Sequence, residues 1–353
     1  MTLRRALIAA VVSALVLTGC GAAAEKLSPR VAVREAAEAT ASQKEGSFKL
    51  SLVGSEDDLN ALFNAGAPLT EEDRQGLNLL RNGHIVLSTG SDKFGLDIKA
   101  GDIEHAFELR YVDKKLFARA DVAGLAKLFG ASPEEIDQTV QALASQEGFE
   151  FLAAAAAGKW IVADFSTLKG LFEGLGQQFG LDTGESTPAP TGESQVPSEY
   201  QAIKDAIGKA MSEDVSVEKL KSDDVGDHYV AKVTSLQAFY AKVRAAFEQH
   251  MGHTPYGSQL PPVSAVPDKP GSLDVWVKDG RVPRVELDLA QLSPAPPPGA
   301  GRAALRLDIN REAASVTVPS DAVPVDLAGL IGRFTSQFGS FLEGVGEGLS
   351  NYD

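Results

Sequence analysis

Short runs of alternating apolar and polar residues dominate the chain. They are broken by stretches in which apolar residues recur every three or four positions. Phe48-Lys49-Leu50-Ser51-Leu52 alternates as a half-buried strand does. The same alternation predicts strands over 84–88, 94–98, 107–111, 115–120, 159–163, 215–220, 228–234, 273–277, 285–289 and 305–309. Asp113-Lys114 and Asp279-Gly280 are turn pairs between such runs, the second a strong hairpin signal. Helical spacing predicts helices over 30–41, 121–129, 132–145, 166–179, 199–212 and 235–251. Ser28-Pro29 and Ser132-Pro133 open two of these as an N-cap followed by proline at the first helical position. Residues 55–82 are an insertion with helical character around 58–63 and 71–80. The element 327–349 places Leu330, Phe334, Phe338, Phe341 and Val345 on one stripe, and its six glycines weaken it as a rigid helix.

These elements imply an α+β architecture. Clean alternation means an antiparallel sheet with one wet face, and the helices must bury their stripes on the other. About eleven strands is more than a twisted open sheet carries without curling. The expected form is therefore a strongly curved antiparallel half-barrel with amphipathic helices on its concave face. Residues 28–353 form one domain on this reading, with flexible insertions near 182–198, 254–270 and 293–301. Residues 182–198 hold almost no apolar side chains to offset the entropy of ordering them.

The N-terminus has a different pattern. Arg4 and Arg5 precede an apolar run over 6–17, too short to span a bilayer comfortably. Leu17-Thr18-Gly19-Cys20 follows and resembles a bacterial lipobox. That resemblance implies cleavage before Cys20 and a diacylglyceryl group on its thiol. Residues 1–19 are then a signal peptide and 20–27 a tether. Two acyl chains suit stable anchoring, since each buried CH₂ contributes roughly 0.8 kcal/mol.

Charge and composition narrow the chemistry. The signal carries two arginines and no acid, so the mature chain holds 31 basic against 48 acidic side chains. Such a surface repels phosphate backbones and makes nucleic acid an unsuitable partner. Cys20 is the sole cysteine, which leaves no thiol for disulfides, zinc or catalysis once it is acylated. His250 and His253 have a chelating spacing but no third ligand close in sequence, and they read as a solvated helix end. Gly174, Gly176 and Gly180 imitate a dinucleotide loop poorly, since Phe179 stands where the third glycine belongs. Asp57-Asp58 and Asp223-Asp224 read as surface charge. No metal, cofactor or catalytic residue is assigned.

Several stretches together resemble the mycobacterial LppX/LprG-type lipoproteins. Ser28-Pro29 through Ala41 with Ser47-Phe48-Lys49-Leu50-Ser51-Leu52 is similar to that family's opening helix and first strand. Val275-Trp276-Val277-Lys278-Asp279-Gly280 with Pro283-Arg284-Val285 is similar to its late hairpin. Lys159-Trp160-Ile161-Val162-Ala163-Asp164 is similar to its strand-to-helix joint, and Val318-Pro319 with Val325-Asp326-Leu327 to its closing strand. The resemblance implies a half-barrel of LolA-like shape that holds acyl chains of lipids or lipoglycans.

The expectation is a non-enzymatic lipoprotein on the outer face of the bacterial cytoplasmic membrane, binding or carrying lipid. The residues expected to line the apolar space are Phe48, Leu50, Leu52, Leu96, Ile98, Phe107, Leu109, Val275, Leu287, Leu289, Leu305 and Leu307. The alternative is a structural or interaction lipoprotein with a filled core and no ligand.

Overall fold

The computed structural model describes residues 28–64, 81–128, 131–164, 198–251, 260–293, 301–312 and 316–326. Cys20, the helices expected over 71–80 and 166–179, most of the 182–198 stretch and the 327–349 element lie outside these residues. In chain order the elements are α1 (Pro29–Ala41), β1 (Gly46–Val53), α2 (Glu56–Asn64), β2 (His84–Gly90), β3 (Lys93–Ala100), β4 (Ile103–Val112) and β5 (Lys115–Ala120). Then come α3 (Val122–Leu128), α4 (Pro133–Ala144), α5 (Phe151–Ala156), β6 (Ile161–Asp164), α6 (Ser198–Asp214), β7 (Val215–Lys219), β8 (Asp227–Val233) and α7 (Leu236–Met251). The last are β9 (Gly271–Lys278), β10 (Arg281–Asp288), β11 (Ala304–Asn310) and β12 (Val323–Pro324). The fold class is α+β, dominated by antiparallel pairing.

Local chemistry accounts for the element boundaries. Ser28 caps α1 by accepting from the Val31 N–H at 3.3 Å, and Ser132 caps α4 by accepting from the Glu135 N–H at 3.4 Å. Asp121 opens α3 in the same way, accepting from the Gly124 N–H at 2.8 Å. Asp113 and Lys114 take φ of +52° and +61°, and Asp279 and Gly280 take +51° and +67°. Both pairs thus have the left-handed geometry that suits a two-residue hairpin. The alanine-rich α5 was not anticipated. Leu289, expected at the end of a strand, starts a 3-10 helix over Leu289–Leu292, because Asp288 caps the Ala290 N–H at 2.9 Å.

Backbone proximity divides the chain into two compact units. The first holds most of residues 28–89 and 198–312. Its strands run in the order β2-β1-β11-β10-β9-β8-β7. Pairing places Phe48 opposite Ile309, Leu50 opposite Leu307 and Leu52 opposite Leu305. Leu307 in turn faces Val285, and Val285 faces Val275, which faces Tyr229. Directly paired residues share a side of the sheet, so this is one continuous apolar face.

Two helices cover parts of that face. Val33, Ala36 and Ala37 of α1 form a core with Tyr229, Val275, Val282 and Val285. Leu59 and Leu62 of α2 form another with Leu52, Leu289, Ala303 and Leu305. Full burial of such an aliphatic side chain contributes roughly 1.5–3 kcal/mol. Helices α6 and α7 join through Ile203, Ile207 and Val243. The 260–270 stretch, expected as loose loop, is tied to α7. The Tyr240 hydroxyl and the Arg244 guanidinium both donate to the Pro261 carbonyl, at 2.8 and 2.5 Å, and the Gln237 amide donates to the Val266 carbonyl at 3.0 Å.

The second unit holds most of residues 90–164 and 316–326. Its strand order is β12-β6-β5-β4-β3. β4 and β5 pair along six positions, with Phe107 opposite Ala120 and Leu109 opposite Ala118. β12 departs from the expected antiparallel pattern: it pairs with β6 in parallel.

Candidate functional site

Seven of the expected lining residues, Phe48, Leu50, Leu52, Val275, Leu287, Leu305 and Leu307, share the apolar face of the first unit. They differ in burial. Leu52, Val275 and Leu305 are buried in the α1 and α2 cores, as is Leu289 just beyond β10. Phe48, Leu50, Leu287 and Leu307 are half-buried. In the second unit Phe107 and Leu109 share one face of β4, and Leu96 and Ile98 alternate together along β3. All four are half-buried.

The opposite faces carry charge, some of it deeply buried. In the second unit Glu108 is 3% exposed. Its two oxygens accept from Arg110 at 3.0 Å and from Arg119. Both guanidiniums also lie over the Trp160 ring, 4.5 and 4.9 Å from its centroid. Trp160 is thus an anchor of this face, held from β4 and β5 by residues forty or more positions earlier in the chain.

In the first unit Glu286 is 2% exposed and accepts from Arg306 at 2.6 Å. Arg302 lies 2.7 Å from Glu286 and 3.0 Å from Asp274. His228 Nε2 is 2.9 Å from Asp274, and its ring stacks on Trp276 with centroids 4.3 Å apart. The Trp276 indole N–H donates to Asp223 at 2.8 Å. That hydrogen bond, with two backbone N–H groups, holds the Asp223 carboxyl below its ordinary value. Asp223, read from the sequence as surface charge, is therefore a structural acceptor. Asp58 is another: its carboxyl is lowered by hydrogen bonds from the Ser55 hydroxyl and the Gly301 N–H.

Among the described residues, Asp97, His105 and Glu108 bring three ligand-type atoms within 4.8 Å of one another. His105 Nδ1 is 3.2 Å from Asp97 and 3.8 Å from Glu108. The two arginines already occupy both oxygens of Glu108, so a cation would compete with two guanidiniums for it. The group reads as an ion-pair network rather than a metal centre.

The buried charges escaped sequence reasoning because a strand with charges at alternate positions looks like any solvated face. The one available signal was a glutamate with one arginine two residues along its own strand and another on the next strand. Among the described residues no helix is long and apolar enough to cross a membrane.

No family model matches the chain, and no curated protein sequence does. Among solved structures, the lipoprotein LppX of Mycobacterium tuberculosis is similar over 84% of this chain and 100% of that chain, at 9% identity and a TM-score of 0.31. LppX is of the type that the opening helix and late hairpin resemble. At that TM-score the functional reading stands on this chain's own residues.

Proposed function

We propose that this chain is a cell-envelope lipoprotein, anchored through acylated Cys20 on the outer face of the cytoplasmic membrane, that binds or carries lipid acyl chains. The mechanism is passive: apolar chains leave the bilayer for the apolar side of a sheet, and no covalent step is involved. The observation that supports it most is the inverted burial of β4. There Ala106 and Glu108 are buried, while Phe107 and Leu109 keep partial access. A sheet in water ordinarily does the reverse. Phe48, Leu50, Leu96 and Ile98 have the same partial access.

The competing reading, an interaction lipoprotein with a filled core, draws support from the packing of Leu52, Leu289 and Leu305 against α2. Two measurements separate them. Organic-solvent extracts of protein produced without its anchor are analysed by mass spectrometry, and binding of a fluorescent fatty-acyl probe is compared in Leu50→Trp and Lys49→Trp. Lipid in the extract, with probe binding lost in Leu50→Trp and kept in Lys49→Trp on the opposite face, is the carrier outcome. A lipid-free extract and no probe binding by the wild type would leave the filled core.

A further inference from the structure

Helix α1 is pinned to the first unit at both ends. At its start the Arg30 guanidinium donates to the Ser212 carbonyl at 2.9 Å and to the Val215 carbonyl. Ser212 lies in the last turn of α6, and Val215 is the first residue of β7. At its end the Thr40 hydroxyl accepts from the Val282 N–H at 2.9 Å, and Arg281 donates to the Ala39 carbonyl at 3.3 Å, both from β10. From β7 to β10 is three strand spacings, about 14 Å. The helical rise from Arg30 to Thr40 is about 15 Å. The match lays α1 across the strands, with its N-terminus at the β7 edge.

β7 ends the strand order. The Leu220 N–H donates to the His228 carbonyl at 2.8 Å, and antiparallel bonds fall on alternate pairs. Val215, Val217 and Lys219 therefore turn their backbone groups away from β8. Arg30 takes one of these groups, the Val215 carbonyl. The apolar face reaches the same edge. Val217 lies opposite Ala231, which lies opposite Leu273, and Val217 and Met211 pack against the α1 core while keeping partial access.

Ser28, which caps α1, lies eight residues after Cys20, a stretch that reaches at most about 29 Å in any conformation. We propose that the β7 edge, with the first turn of α1 and the last turn of α6, is the side of the first unit that faces the bilayer, a lipid surface being its partner. The inference rests on the anchored reading of Cys20 and not on lipid carriage. β2, at the other end of this unit's strand order, is six strand spacings from β7, about 29 Å along the sheet. An anchor leading into α1 thus holds β7 near the headgroups and β2 away from them. An acyl chain that leaves the bilayer beside the anchor meets Val217 and Met211 first on the apolar face.

The test uses the full mature chain, purified from membranes and reconstituted into phosphatidylcholine–phosphatidylglycerol vesicles that carry headgroup spin labels. Acylation consumes the Cys20 thiol, so a single introduced cysteine alone takes a fluorophore. Ser216→Cys and Lys209→Cys report on the β7 side, Lys44→Cys and Asn82→Cys on the β1 and β2 side, and all four positions are exposed. Two positions on each side keep the comparison if one label disturbs the fold. The β7-side pair should be quenched at least about twofold more strongly than the other pair. The same four labels in a Cys20→Ala chain, which has no anchor, should lose that quenching. Equal or reversed quenching in a chain that sediments with the vesicles would overturn the orientation and leave the anchor. A wild-type chain that does not sediment with them would remove the anchored reading, and the orientation with it.

Discussion

Asp274 and Glu286 sit directly opposite each other on β9 and β10, two carboxylates in a position where like charges repel. Arg302 bridges them, 3.0 Å from one and 2.7 Å from the other, and Arg306 holds the far side of Glu286. Because Glu286 is almost fully buried, its charge depends on these two partners. Arg306→Ala is expected to destabilise the protein by about 2–4 kcal/mol, and the more exposed Arg302→Ala by about 1 kcal/mol. Urea unfolding curves check both. Combining Arg306→Ala with Glu286→Leu should recover most of the loss, since no unpaired charge then remains.

Asp223 links acidity to the environment of Trp276. Its carboxyl is held below the ordinary aspartate value, first by the Trp276 indole and then by the Val225 and Gly226 N–H groups. A carboxyl lowered by folding stabilises the fold above its unfolded pKa, and that contribution is lost as pH falls through the folded value. The Trp276 indole N–H resonance should therefore show an acid transition that lies below the usual aspartate range. In Asp223→Asn that acid transition should be absent.

The turn at Asp279-Gly280 gives a clean conformational test. Gly280 has φ of +67°, and a Cβ there would meet nothing within 4 Å. Gly280→Ala should therefore cost about 1 kcal/mol through backbone conformation alone, with no change in acyl-probe binding. Thermal melting measures the first and fluorescence titration the second.

The lipobox reading makes anchoring depend on Cys20. Wild-type protein should partition into detergent with a mass increment on Cys20, and Cys20→Ala should become soluble or stay as full-length precursor. A membrane-bound wild type with an unmodified Cys20 and an intact N-terminus would contradict the lipobox reading.

Much of the fold was legible because its signals are local. Ser28 and Ser132 cap the helices they announce, and Asp279-Gly280 turns the hairpin it announces. Phe48, Leu50 and Leu52 share a face because strand alternation has a period of two. What escaped depends on distant partners. Glu108 is buried by Arg119 on the next strand, and Trp160 receives Val323 from far along the chain. The division into two units is likewise a property of long-range contacts. Among the expected lining residues, helical cover separates Leu52 and Val275 from Phe48, and alternation says nothing about cover.

The charged side of the first unit bears on folding fidelity. Val285 and Leu287 would meet leucine, isoleucine or alanine side chains just as readily if β11 slid two residues along β10, so greasy contacts alone tolerate the error. The native alignment sets Arg284 against Asp308 and Glu286 against Arg306. Sliding two residues one way puts Arg284 against Arg306, and the other way puts Glu286 against Asp308. Either mistake brings like charges together in a poorly hydrated place. The saline rungs act as a key that rejects misthreaded hairpins. Swapping both pairs, Arg284→Asp with Asp308→Arg and Glu286→Arg with Arg306→Glu, should preserve that key, whereas neutralising all four would leave a sheet free to assemble out of step.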